Sequence, residues 1–386
     1  MPRPILALAA VAVLNCGVLL AADPAVSLRF VEHTVATGLR GGYQVVVADL
    51  NRDGKPDLVA LASGMTDLVW FENPGWERHV LASNLPRLIN CVAFESNGHP
   101  AMAVASGFSN EARTSSGNVW LLEPDGDVHR PWTIREIDRL PTSHRLRLAD
   151  LEGRGQPVIV NAPLTAADAM GPDYHGHTPL VYYRPGEWKR TLISDANEGV
   201  VHGVWVTDWN GDRRDEILTA SFVGIHLHKL ASDGRWTRTE ISRGDPAPWP
   251  KGGASDLAVG QVEGRRFVCS IEPWHGNQVV VYVQEQEAWS RHVIDDSFTD
   301  GHTITTADLA GNGRDAIIAG HRGAGGGLVC YTATDKSGLR WERNPIDMKQ
   351  IATAACAVAD LNGDGKLDIV AIGAATANLK WYENVR

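Results

Sequence analysis

The strongest constraint on this 386-residue chain is that it writes one unit seven times. In each full copy an apolar strand runs into an acidic turn and then a second apolar strand. The clearest are VVVADLNRDGKPDLVAL from Val45, LRLADLEGRGQPVIV from Leu146, VWVTDWNGDRRDEIL from Val204, ITTADLAGNGRDAII from Ile304 and CAVADLNGDGKLDIVAI from Cys356. Degenerate copies fall where the spacing demands them, at CVAFESNGHPAMAV from Cys91 and DLAVGQVEGRRFVCSI from Asp256. Six units also carry a Trp-led strand, opened by Trp76, Trp132, Trp188, Trp236, Trp289 and Trp341. The residue opening each turn (Asp49, Phe94, Asp150, Asp208, Gly260, Asp308, Asp360) recurs every 45 to 58 residues. A repeat of that length with four short strands is a propeller blade. The expected fold is therefore all-β, a seven-bladed propeller of four-stranded blades.

The ends complete the count. The last copy stops at LKWYENVR without an outer strand, and LRFVEHTVA from Leu28 supplies one near the start. That N-terminal strand is expected to join the last blade and close the ring, which removes the open edges. Residues 27–386 read as a single domain. Before them, Arg3, an apolar stretch from Ile5 to Leu20 and Ala21-Ala22 have the layout of a signal peptide over residues 1–22. The expected location is secreted or periplasmic, with no membrane insertion once the leader is cleaved. The net charge of −10, without basic runs, argues against nucleic acid as a partner. Cys91, Cys269, Cys330 and Cys356 sit in strand-like apolar stretches without metal-ligand spacing, and read as core thiols.

At the acidic turns, DLNRDGKPDLV and DLNGDGKLDIV, the chain resembles the FG-GAP and VCBS-type repeats of secreted bacterial proteins and integrin-like propellers. A narrower resemblance lies in GVVHGVWVTDWNGDRRDEILTAS, IEPWHGNQVVVY and DGHTITTADLAGNGRD, which look like the propeller portion of the aldos-2-ulose dehydratase family and related lyases. The first resemblance implies the fold. The second implies metal-dependent lyase chemistry on keto sugars.

Two turns place oxygen-bearing side chains at positions 1, 3, 5 and 9: Asp49, Asn51, Asp53 and Asp57, and again Asp360, Asn362, Asp364 and Asp368. Oxygens at that spacing can wrap one calcium ion, with a backbone carbonyl at position 7. The competing reading is that they cap the turn by accepting backbone N–H groups. Partial copies stand at Asp208, Asn210, Asp212 and Asp215, and at Asp308, Asn312 and Asp315.

His144, His202 and His302 each lie six residues before the turn-opening aspartate, at the start of an innermost strand. In a propeller those starts converge on one mouth of the central channel, and the loops joining second and third strands open on the same face. Those loops carry Tyr174 and His175, Glu272 and His275, and His321 and Arg322. Neutral imidazoles so gathered suit zinc or a similar divalent transition metal. The expected ligands are His202, His275 and His302, with Glu272 as an additional or supporting ligand. The implied reaction is a β-elimination on a keto sugar or keto-glycoside. His321 or His144 would be the base, Tyr174 or His175 the acid, and Arg322 would hold substrate hydroxyls. Trp274 is a candidate sugar-stacking surface. The alternative is a non-catalytic propeller that binds a glycan or a protein partner, with calcium as a structural ion.

Overall fold

The computed structural model describes residues 28–386. The proposed leader, residues 1–22, lies outside the described residues. Seven four-stranded antiparallel sheets are present. Their innermost strands are Gly42–Ala48, Asn90–Ser96, Ser143–Ala149, Val201–Thr207, Asp256–Val262, Gly301–Ala307 and Thr353–Ala359, in blades 1 to 7. Each packs against the innermost strand of the next blade, and the strand of blade 7 packs against that of blade 1. The ring is closed.

Closure uses the N-terminal strand as expected. Phe30–Thr37 runs antiparallel to Asn378–Asn384, from Phe30 opposite Asn384 to Thr37 opposite Asn378, and forms the outer edge of blade 7. The first and last described strands thus share one sheet.

Burial follows the strand's place in the blade. The second strands Asp57–Ala62, Glu216–Ser221, Ala316–His321 and Asp368–Gly373 are buried at all six positions. Neighbouring blades cover both of their faces, which is why they read as continuous apolar runs rather than alternating ones. Outer strands such as Thr133–Arg139 are largely wet. The Trp-led strands bridge blades. Trp341 meets Phe267 of the preceding blade edge-on at 5.1 Å, and Trp188 meets Phe94 at 6.3 Å. Cys91, Cys269, Cys330 and Cys356 are free thiols, three of them fully buried.

One local irregularity recurs. In five blades the pairing of first and second strands skips a residue near the start of the innermost strand. The skipped residues are Tyr43, His144, His202, His302 and Ala354. Each lies six residues before its turn-opening aspartate. A β-bulge inserts one unpaired residue, bends the strand and re-aims a side chain. The pairings of blades 2 and 5, the two degenerate copies, have no such bulge.

Candidate metal centre at the channel mouth

The bulges carry three imidazoles and a phenol to one end of the channel. The His202 and His302 rings are 5.0 Å apart, His144 and His202 4.9 Å, and Tyr43 and His302 5.2 Å. Blades 4 and 6 are not neighbours, so the contact between His202 and His302 reaches past blade 5 at the mouth. Gly203 follows His202 for a reason of space. A Cβ there would stand 2.8 Å from the Ser255 carbonyl oxygen of blade 5, so only glycine lets the strands close this tightly.

His275 completes the group from the loop after the second strand of blade 5. Its Nε2 is 3.3 Å from Nε2 of His202. One ring nitrogen from each of His202, His275 and His302 lies within 4.8 Å of the other two. The remaining nitrogens have separate partners. His302 Nδ1 faces the Ala354 carbonyl at 2.5 Å, so it carries the proton, and Nε2 is left buried with no partner. His202 Nδ1 lies 3.3 Å from the Ser255 hydroxyl. His275 Nδ1 lies between Arg322 Nη2 at 3.3 Å and Asp300 Oδ1 at 3.4 Å, and the other oxygen of Asp300 accepts a bond from Arg322 Nε at 2.9 Å. Fixing one nitrogen by hydrogen bonding aims the other and raises its basicity, the arrangement of metal-bound histidines.

Electrostatics favour neutral rings. Burial pushes His144, His202 and His302 well below the ordinary histidine range, and the nearby Arg145 guanidinium pushes the same way. Burial likewise brings His275 down to about 3. Neutral imidazoles keep the lone pairs that a cation needs. The donor set and the orphaned Nε2 of His302 fit a divalent transition ion with an open position.

Several expected residues lie elsewhere. Glu272 is not a ligand here. Its buried carboxylate accepts bonds from Ser270 and Tyr282 at 2.5 Å and from Arg291 Nε at 2.8 Å, so it is held inside blade 5. His321 stacks on Phe298 at 4.6 Å, outside the three-imidazole group. Tyr174 meets Trp274 edge-on at 5.8 Å, and His175 stacks on Trp249 at 4.9 Å. They belong to an aromatic wall with Phe222, and Trp274 carries it to His275 at 4.8 Å. Arg322 braces His275 and Asp300.

Two groups escaped the sequence reading. Tyr43 occupies the histidine position of blade 1, and its hydroxyl is 2.7 Å from His144 Nε2. Its spacing to Asp49 was the available signal, masked because only histidines were aligned. Arg145 places guanidinium nitrogens 3.4 Å from both His144 Nε2 and His202 Nε2. Next to this group a cavity of about 330 Å³ is lined by Tyr43, Asn90, Arg145, Arg147, Asp256 and His302, among others.

The acidic turns open on the opposite face. Asp49 accepts backbone N–H bonds from Asp53 and Gly54, and Asp53 accepts one from Lys55. Asp57 accepts from Leu50 and Asn73, both at 2.9 Å, and Asn51 accepts from Asp53 while donating to Glu72. In the last blade Asp360 accepts from Asp364 and Gly365, Asn362 from Asp364, Asp364 from Lys366, and Asp368 from Leu361 and Asn384. These are the bonds of a capped turn. Burial pushes Asp57 up to about 6.

The fold is that of a seven-bladed β-propeller, and the FG-GAP repeat matches residues 41–67. The family described as aldos-2-ulose dehydratase, β-propeller domain, matches residues 116–285, a stretch that includes His144, His202 and His275. The aldos-2-ulose dehydratase of Phanerodontia chrysosporium is 24% identical over 409 residues, covering 91% of this chain. The chain spans 44% of that protein's length. Among solved structures, BBS1N in complex with ARL6DN matches with a TM-score of 0.54 over 93% of this chain and 97% of the other. At 14% identity that likeness shows the fold alone. Among the described residues, no helix is long and apolar enough to cross a membrane.

Proposed function

We propose that the channel mouth is the active site of a metal-dependent carbohydrate dehydratase that performs β-elimination on a keto sugar or keto-glycoside. One observation supports the reading: three neutral imidazoles converge, with the outer nitrogens of His202 and His302 hydrogen-bonded to Ser255 and Ala354 and that of His275 set between Arg322 and Asp300. His202, His275 and His302 would hold a divalent transition ion such as zinc, which when bound supplies Lewis acidity at a sugar carbonyl.

The chain's own residues handle the protons. His144 and Tyr43 share one across 2.7 Å. His144 is kept neutral by burial, as a base must be, and takes the proton α to the carbonyl. The C–H pair becomes the new double bond as the β-oxygen departs. Tyr43, with Arg145 3.5 Å from its oxygen, returns a proton to that leaving group, so water is the co-product. This assigns the acid to Tyr43 instead of Tyr174 or His175, which stay in the aromatic wall. Trp274 offers a face for stacking the sugar ring, and Arg322 acts by bracing His275. Calcium in the two acidic turns, and export to the periplasm or outside the cell, complete the proposal.

The test is metal analysis of purified protein beside a screen of keto-glycosides for an ultraviolet-absorbing enone. Bound transition metal, and turnover lost on chelation, support the reading. Full turnover by metal-free protein sinks it, and saturable glycan binding without product would favour the binding module.

A further inference from the structure

A second constellation lies away from the channel, on the third and outer strands of blade 1 and a loop of blade 2. Glu72 ends the strand Leu68–Glu72, and His79 lies on the paired strand Glu77–Ala82. His129 comes from the blade 2 loop before the strand Thr133–Arg139. One oxygen of Glu72, Oε2, faces Nε2 of His79 at 2.9 Å and Nε2 of His129 at 3.3 Å. The two imidazoles meet edge-on at 5.0 Å.

Each group is oriented from behind. Asn51 donates to the other oxygen of Glu72 at 2.8 Å. His129 Nδ1 lies 3.0 Å from Asp127 Oδ1. Trp70 stacks on His79 at 4.6 Å and lies 5.7 Å from His129, forming an aromatic floor. These outer partners repeat the carboxylate–histidine logic of metal sites.

The geometry accommodates a cation between the groups. With its Nδ1 proton given to Asp127, a neutral His129 presents a lone pair at Nε2 to the lone pairs of Glu72 Oε2. At 3.3 Å that approach is repulsive unless a proton or a metal ion intervenes. All three ligand atoms lie within 4.8 Å of one another. A tetrahedral ion with bonds of about 2.0–2.1 Å sets its ligands about 3.4 Å apart, so closing on a metal takes shifts of only tenths of an ångström for the pairs at 2.9 and 3.3 Å. The Glu72 and His129 side chains are 26% and 43% exposed, which gives the ion an entry path and leaves room for water.

We infer that Glu72, His79 and His129 form a second site for a divalent transition metal such as zinc, clamping the blade 2 loop onto blade 1. This site is independent of the mouth and of the proposed reaction.

The experiment uses full-length protein stripped with a chelator and titrated with zinc by calorimetry. The His202→Ala/His302→Ala double variant isolates the site of Glu72, His79 and His129. It is expected to bind one zinc and to melt at a higher temperature with zinc than without. Adding His129→Ala, on a partly exposed loop, should abolish that binding while circular dichroism stays unchanged. Asp127→Asn should weaken it roughly 10- to 100-fold. No zinc bound by the double variant, or equal binding after His129→Ala, overturns the inference. Neither outcome depends on whether the mouth is catalytic.

Discussion

The two ends of the ring treat polar groups in opposite ways. Where the innermost strands begin, His302 Nε2, His144 Nδ1 and Trp274 Nε1 are buried without a partner. Where those strands end, each aspartate of the two full turns accepts at least one backbone N–H. A buried unpaired polar group costs on the order of 1–3 kcal/mol, so a fold retains several close together only where something else rewards them. At the satisfied end the aspartates already serve the backbone. The unsatisfied end is where the proposed metal would reward the unpaired groups.

The hardest blow to that contrast is His302→Ala. Removing the one ligand with a wholly free buried nitrogen should lose the mouth metal and lower turnover by about a thousandfold, roughly 4 kcal/mol of transition-state stabilisation. Metal content and kcat/KM are the readouts. Unchanged values would make the mouth a structural feature like the far end. Asp300→Asn is a finer probe. It leaves all three imidazoles but removes the carboxylate charge beside His275 Nδ1 and Arg322, and should cost about 10- to 100-fold in metal affinity.

Another buried histidine sharpens the comparison. His228, on the third strand of blade 4, is as buried as His302 and like it has one bonded nitrogen, Nε2 to Thr219 at 3.1 Å, and one buried without a partner, Nδ1. It stands in no group of metal ligands among the described residues. Burial first, then Arg238 and His226, bring its pKa down to about 3. A histidine depressed in the folded state contributes stability above its unfolded value of about 6.5, and that contribution falls away as the pH drops toward 3. At pH 5 the loss should be about 2 kcal/mol. Thermal melts of the parent and His228→Leu between pH 7 and 5 would show it as a shallower slope in the variant. Equal slopes would refute it.

Legibility followed the same divide. Blade number, ring closure and the inner-strand histidines could be read because repetition fixes register, and register fixes which residues share a position. His275 was found because its loop face follows from antiparallel connectivity. What was missed depended on side-chain direction. Glu272 has a loop-proximal number, but its carboxylate points to Arg291 on the outer strand of its own blade. Tyr174 and His175 were placed at the right face but belong to the aromatic wall. Arg145, next to His144, became visible only when the bulge was seen. The grouping of His79 with His129 left no mark in the sequence, because 50 residues separate them and only the packing of the blade 2 loop on blade 1 brings His129 to Glu72.

The smallest expected effect belongs to the satisfied end. Asp49→Ala removes an acceptor for the N–H groups of Asp53 and Gly54, but both donors are exposed and can turn to water. The cost should be about 1 kcal/mol of stability, with kcat/KM unchanged. Calcium separates the two readings of the turn. If the turn only caps backbone, calcium leaves the melting temperature of parent and variant alike. If the loop holds an ion, calcium raises the parent's melting temperature and the increment shrinks in Asp49→Ala, because position 1 supplies one of its charged oxygens. A fall in turnover with Asp49→Ala would break the contrast altogether, since it would tie the hydrogen-bonded turns to the chemistry proposed at the other end of the channel.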